Sequence, residues 1–133
     1  MTELPYETEL DVRWQDFDAL GHVNNAVYTT YFELARLRYL EDEFDISTEN
    51  VSFVVARLEV DFVAPITKMT TVSVRVGLVD VGHKSFRLAY ELRWEGSVAA
   101  RCETVQVTVD EDGGATPVPD SWRKRFEEAL TEE

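Results

Sequence analysis

Asp16, Asp18 and His22 fall within one seven-residue stretch, and Asn24-Asn25 follow almost at once. A carboxylate can attack a carbonyl carbon directly or draw a proton from water, and an imidazole can take part in the same proton movement. The residues after Asn25 read as a helix, and the first N–H groups of a helix lack internal partners and carry the positive end of its dipole. Donors of that kind can hold a carbonyl oxygen as it gains negative charge during acyl transfer. A carboxylate just ahead of a helix start therefore suits acyl transfer. The same residue types also make turns and caps, because short polar side chains bond to nearby backbone. Asp16 is expected to hold the loop by hydrogen bonds, and Asn24 or Asn25 to cap the helix. His22 is open to either use. Glu33 and Arg36, three apart on the same helix, read as an ion pair rather than an acid–base couple.

Several elements must position this segment. From Glu7 to Trp14 the residues Leu10, Val12 and Trp14 alternate with polar ones, which predicts a half-buried strand. Asp16 to Asn25, rich in Asp, Gly and Asn, reads as an ordered loop. A helix then runs through about Phe44, with Tyr28, Tyr31, Phe32, Ala35 and Tyr39 at three- and four-residue steps. Val27, Leu34 and Leu37 lie off that stripe, so the helix is expected to be buried on most sides. Four β-branched and aromatic runs follow, Val51–Phe62, Thr70–Val81, Phe86–Trp94 and Val98–Val109, with turn signals at Ala64-Pro65, Gly82-His83 and Glu95-Gly96. Gly113-Gly114 and two prolines lead to a short amphipathic helix, about Ser121 to Leu130, capped by Asp120 or Ser121. Consecutive strands joined by short connections favour an antiparallel sheet, and the long helix must cover one face of it. The class is α+β.

The 133 residues suit one domain over 1–133, and a hydrophobic fraction of 44% can fill its core. No apolar run approaches the ~20 residues that cross a bilayer, and the first residues lack a basic start and apolar stretch, so a cytoplasmic location is expected. Cys102 is the single cysteine, which excludes an internal disulfide and a multi-cysteine metal site. Twenty-six acidic residues against 13 basic ones give a formal net charge of -13. Such a surface repels nucleic acid and anionic membranes, so neither is expected as a partner. It also suggests adaptation to a salty cytosol, where a Debye length of ~3 Å at 1 M would relieve the repulsion between carboxylates.

The segment resembles the signature of the 4-hydroxybenzoyl-CoA thioesterase-like hotdog family, roughly Asp-x-Asp, a Gly, Asn-x-x-Tyr and then Phe-Glu-x-Ala-Arg. Here these are Asp16-Phe-Asp18, Gly21, Asn25-Ala-Val-Tyr28 and Phe32-Glu-Leu-Ala-Arg36. Gly21-His-Val-Asn-Asn25 with Tyr28 is also similar to acyl-ACP thioesterases. Val54 to Pro65 and Gly82-His-Lys-Ser-Phe86 match later family strands in order. The resemblance implies a hotdog fold, an antiparallel β-sheet wrapped around one long central helix. It implies an acyl-CoA thioesterase in which Asp18 is nucleophile or general base and the backbone N–H near Asn25 polarises the thioester carbonyl. It places His83, Lys84 and Ser85 against the nucleotide or pantetheine of coenzyme A, and gives His22 the place of the acyl-ACP branch's histidine. Leu20 stands where that branch carries a functional asparagine, and the benzoyl-CoA branch often has no histidine at position 22. No cofactor is implied. The expected partner is a second copy, in a homodimer or homotetramer with edge-paired sheets and active sites shared between subunits.

Two other functions compete. A hotdog hydratase or dehydratase also pairs an Asp with a His, usually five apart, whereas Asp18 and His22 are four apart. A binding module that senses acyl-CoA without turnover would need an output domain, for which 133 residues leave no room. A metal site from Asp16, Asp18 and His22 lacks further ligands nearby, and hard cations want several oxygens.

Overall fold

The computed structural model describes residues 4–46 and 52–131. Five strands form one antiparallel sheet: β1 (Tyr6–Asp11), β2 (Ser52–Phe62), β3 (Thr71–Val81), β4 (Ser85–Trp94) and β5 (Ser97–Val109). Helix α1 (Asn25–Phe44) packs across the sheet, mainly over β1 and β3, and α2 (Asp120–Thr131) packs beside it on β3. A sheet curved around one long helix is the hotdog arrangement, as expected. The start of the second strand predicted at Val51 lies outside the described residues.

The strand order is β1-β3-β4-β5-β2. Ala64-Pro65 is therefore no hairpin turn: the chain crosses there from β2 at one edge to β3 on the far side. Val63 and Ala64 both donate their N–H groups to Ala99 O, and Val23 donates to Ile66 O, so the crossover is tied to β5 and to the loop ahead of α1. Gly82-His83 and Glu95-Gly96 are short hairpin connections, as predicted.

On one face of β3 and β4, Val72, Val74, Val76, Leu88 and Leu92 share a core with Tyr28, Phe32, Ala35 and Tyr39 of α1, and Phe86 packs on Trp122 and Phe126 of α2. Two expectations about burial are corrected. Trp14 does not continue β1: it begins a 3-10 turn (Trp14–Asp16) and is 79% exposed. The Asp16 carboxylate captures the Arg13 N–H and guanidinium, which bends the chain out of the strand after Val12. Nor is α1 buried on most sides, for Leu34 and Leu37 are 41% and 47% exposed in the single chain. The sheet covers one stripe of the helix and leaves the opposite one open.

Candidate active site

The loop ahead of α1 is closed by its own backbone. Asp18 N–H donates to His22 O at 2.8 Å, Gly21 N–H returns to Asp18 O at 3.1 Å, and Phe17 and Val23 form an isolated bridge. Gly21 sits at φ +79°, a left-handed conformation that glycine takes without a steric cost. Within this ring Asp18 Oδ1 accepts the Leu20 and His22 N–H groups at 2.9 and 3.1 Å. Oδ2 has no hydrogen-bond partner among the described residues. The side chain is thus held by one oxygen and presents the other.

Asn24 is the N-cap of α1. Its side-chain oxygen accepts from the Ala26 N–H at 2.9 Å and its carbonyl from Val27 N–H. Asn25 is the first helical residue, and its own N–H finds no acceptor among the described residues. Asp18, His22, Asn25, Tyr28, Phe62 and Val63 border one open depression of about 410 Å³. A carboxylate oxygen and a free helix-start donor therefore flank the same space, beside an apolar wall. Tyr28 stands edge-on to Phe62 with ring centroids 5.1 Å apart. Sequence reasoning missed Phe62 and Val63 as site residues. Their signal was weak, the apolar end of a strand just before a proline.

Asp16 takes the structural part. It is 1% exposed and accepts from Arg13 N–H at 2.8 Å, from the Arg13 guanidinium at 3.0 Å and from Tyr31 Oη–H at 2.7 Å. Burial pushes its carboxyl up, but these bonds and the Arg13 charge together outweigh it and hold the pKa below the ordinary aspartate value. Tyr31 responds in the opposite direction: burial raises its pKa, and donation to the Asp16 carboxylate raises it further. Glu33 and Arg36 stand 4.0 Å apart as an ion pair, and Arg36 also reaches Tyr90 Oη at 3.3 Å.

His83, Lys84 and Ser85 are not brought to Asp18 within the chain. Their turn stands opposite Val107, whereas the Asp18 loop meets the other end of the sheet, where Phe62 pairs with Ala100 and Ala100 in turn with Leu92. From Ser85 to Leu92 along β4 is roughly 23 Å at ~3.3 Å per residue. Among the described residues, no three His, Cys, Asp or Glu side chains are grouped to hold a metal ion.

A family model described as the thioesterase-like superfamily matches residues 12–126. The long-chain acyl-CoA thioesterase FadM of Escherichia coli (strain K12) is 30% identical over 109 residues, 78% of this chain and 83% of that protein. A thioesterase from Thermus thermophilus, solved in complex with coenzyme A and Zn, superposes with a TM-score of 0.83 at 36% identity over 98% of both chains. A 1,4-dihydroxy-2-naphthoyl-CoA thioesterase from Synechocystis shares the fold, with a TM-score of 0.81 at 19% identity over 91% of this chain and 94% of that one.

Proposed function

The chain belongs to the thioesterase-like superfamily and is a thioester hydrolase of the hotdog fold, and from that premise we propose that it cleaves acyl-coenzyme A at the Asp18 loop. The observation that carries this reading is that Asp18, held through Oδ1, and the Asn25 N–H border one depression, with Oδ2 and that N–H both without a partner among the described residues. The thioester carbonyl oxygen lies toward Asn25 N–H, which stabilises it as charge develops. As general base, Asp18 Oδ2 takes a proton from water while the water oxygen bonds to the carbonyl carbon. The C–S bond then breaks, and coenzyme A leaves as the thiolate, which recovers the proton. As nucleophile, Oδ2 itself bonds to that carbon and expels the thiolate, and water then hydrolyses the mixed anhydride. His22, on the rim of the depression, is the group through which the proton lost by the product carboxylic acid reaches solvent. The acyl chain runs along the apolar wall of Tyr28, Phe62 and Val63.

A second copy completes the site. Strand β2 is an edge, and Leu58 and Phe62, which share a face with the buried Leu88 and Leu92, are about half exposed. A free edge with an uncovered apolar face favours pairing with another strand. A two-fold axis perpendicular to the sheet pairs β2 antiparallel with its copy and reverses the ends of the sheet. The second copy's His83–Ser85 turn then comes to the end that bears Asp18. It lies three strand spacings from Phe62, roughly 14 Å at ~4.8 Å each, against the roughly 23 Å along β4 within one chain. Coenzyme A would meet Lys84 of that copy through its phosphates and His83 and Ser85 through the nucleotide or pantetheine.

A panel of acyl-CoA esters of graded length and aromaticity, with released thiol measured, tests the reading. Saturated esters should be cleaved. Hydration of a crotonyl-type ester with no thiol released from any ester would contradict it.

A further inference from the structure

We propose that Arg123, on α2, is a positioning residue for coenzyme A, one that fixes the β3–β4 turn so that Lys84 is presented to phosphate; this rests on the coenzyme A reading of that turn. Every carbonyl of the turn is occupied. Gly82 N–H closes it on Ser85 O at 2.7 Å. Lys84 O accepts from Thr108 N–H at 3.0 Å and Thr108 Oγ1 at 3.2 Å. His83 O accepts from Val118 N–H at 3.0 Å. Arg123 Nη2 completes the set, donating to Gly82 O at 2.7 Å and to His83 O at 3.2 Å.

The backbone of the turn is thus fixed on three sides while the His83 and Lys84 side chains remain exposed. A flexible lysine on a fixed turn loses less freedom when it binds phosphate than one on a mobile turn. Among the described residues Arg123 alone supplies the restraint on Gly82 O, and its guanidinium can serve two acceptors from one nitrogen. Helix α2 does not depend on Arg123 for its seat. Trp122 and Phe126 pack on Phe86, with Phe126 4.9 Å and Trp122 6.5 Å from its ring centroid. The position is legible only once α2 is folded against the turn, since Arg123 and His83 lie 40 residues apart.

The test compares steady-state kinetics of Lys84→Ala, Arg123→Ala, Arg123→Lys and the Lys84→Ala/Arg123→Ala double variant. Each is assayed on an acyl-CoA and on the same acyl group carried by N-acetylcysteamine, which lacks the nucleotide. Arg123→Ala should raise KM for the acyl-CoA about tenfold, the scale of one charge-assisted hydrogen bond, and lower kcat far less. KM for the nucleotide-free thioester should move far less. The double variant should have a KM close to that of Lys84→Ala alone, because Arg123 acts through Lys84. Arg123→Lys, which keeps the charge without the planar fork, should recover little. The inference is overturned by an unchanged KM in Arg123→Ala when Lys84→Ala raises it, by effects that multiply in the double variant, or by full recovery in Arg123→Lys. An unchanged KM in Lys84→Ala would remove the coenzyme A reading of the turn itself, and the inference with it.

Discussion

Asp16 and Asp18 stand two residues apart and make opposite use of the same side chain. The Asp16 carboxylate is buried, and its two oxygens accept from Arg13 and Tyr31. Asp18 is exposed, engages Oδ1 with its own loop and leaves Oδ2 without a partner among the described residues. The difference follows from the chain's path: the 3-10 turn directs residue 16 under α1, and the Gly21 ring directs residue 18 over the helix start. One aspartate sets the loop and the other is free for chemistry.

Replacing Asp16 should therefore cost stability. Asp16→Asn removes a charge that Arg13 and Tyr31 donate to, at a cost of about 1–3 kcal/mol. The sign with pH follows from its lowered pKa. The stabilisation is complete above the unfolded aspartate value of ~3.9 and is lost as pH falls through the lower folded value. Denaturant titrations at neutral pH should separate wild type from Asp16→Asn, and the gap should close in acid below pH ~3.9. Equal stability at neutral pH would remove Asp16 from this role.

The exposed inner face of β2 predicts a dimer that one charge can break. Leu58→Asp places a carboxylate where Leu58 would meet the second copy, and light scattering at micromolar concentration should report monomers that keep their circular dichroism. An active wild-type monomer, or an unaffected dimer in the variant, would contradict edge pairing through β2.

The chemistry expected of Asp18 and Asn25 could be stated from sequence because it depends on local order: a loop, a cap and a helix start, all within ten residues. The α1 stripe was legible for the same reason, since its period is written into consecutive residues. The crossover at Ala64-Pro65 was not, because a proline-bearing connection has one local signature whether the next strand pairs beside it or across the sheet. Trp14 was misplaced because alternation cannot register a carboxylate two residues on that captures the backbone. Leu34 and Leu37 were expected to be buried because an apolar residue is written the same way whether its own chain or another covers it.

Subunit mixing tests whether sites are shared. Asp18→Asn chains and Lys84→Ala chains each lack one half of every site, but a mixed dimer holds one site with both native residues. After dissociation and reassociation, the mixture should recover low-KM turnover in mixed dimers. No recovery, with mixed dimers verified by mass, would place both residues of a site on one chain.

The net charge of -13 predicts a protein that folds better in salt. Thermal midpoints should rise between dilute buffer and molar potassium chloride as the carboxylates are screened. A flat or falling trend would show that the acidic surface is merely solvated.

The most direct test is Asp18→Asn. The amide keeps the shape, and its oxygen can still accept the Leu20 and His22 N–H groups, but the basic oxygen is gone. On the best acyl-CoA found in the panel, kcat should fall by at least ~10²-fold with KM changed far less, because the lost group acts in the transition state. His22→Ala, measured alongside, reports the proton path: a severe loss places the imidazole in the chemistry, a mild one leaves it in the loop. Near wild-type kcat in a folded, oligomeric Asp18→Asn protein would contradict the account at its centre.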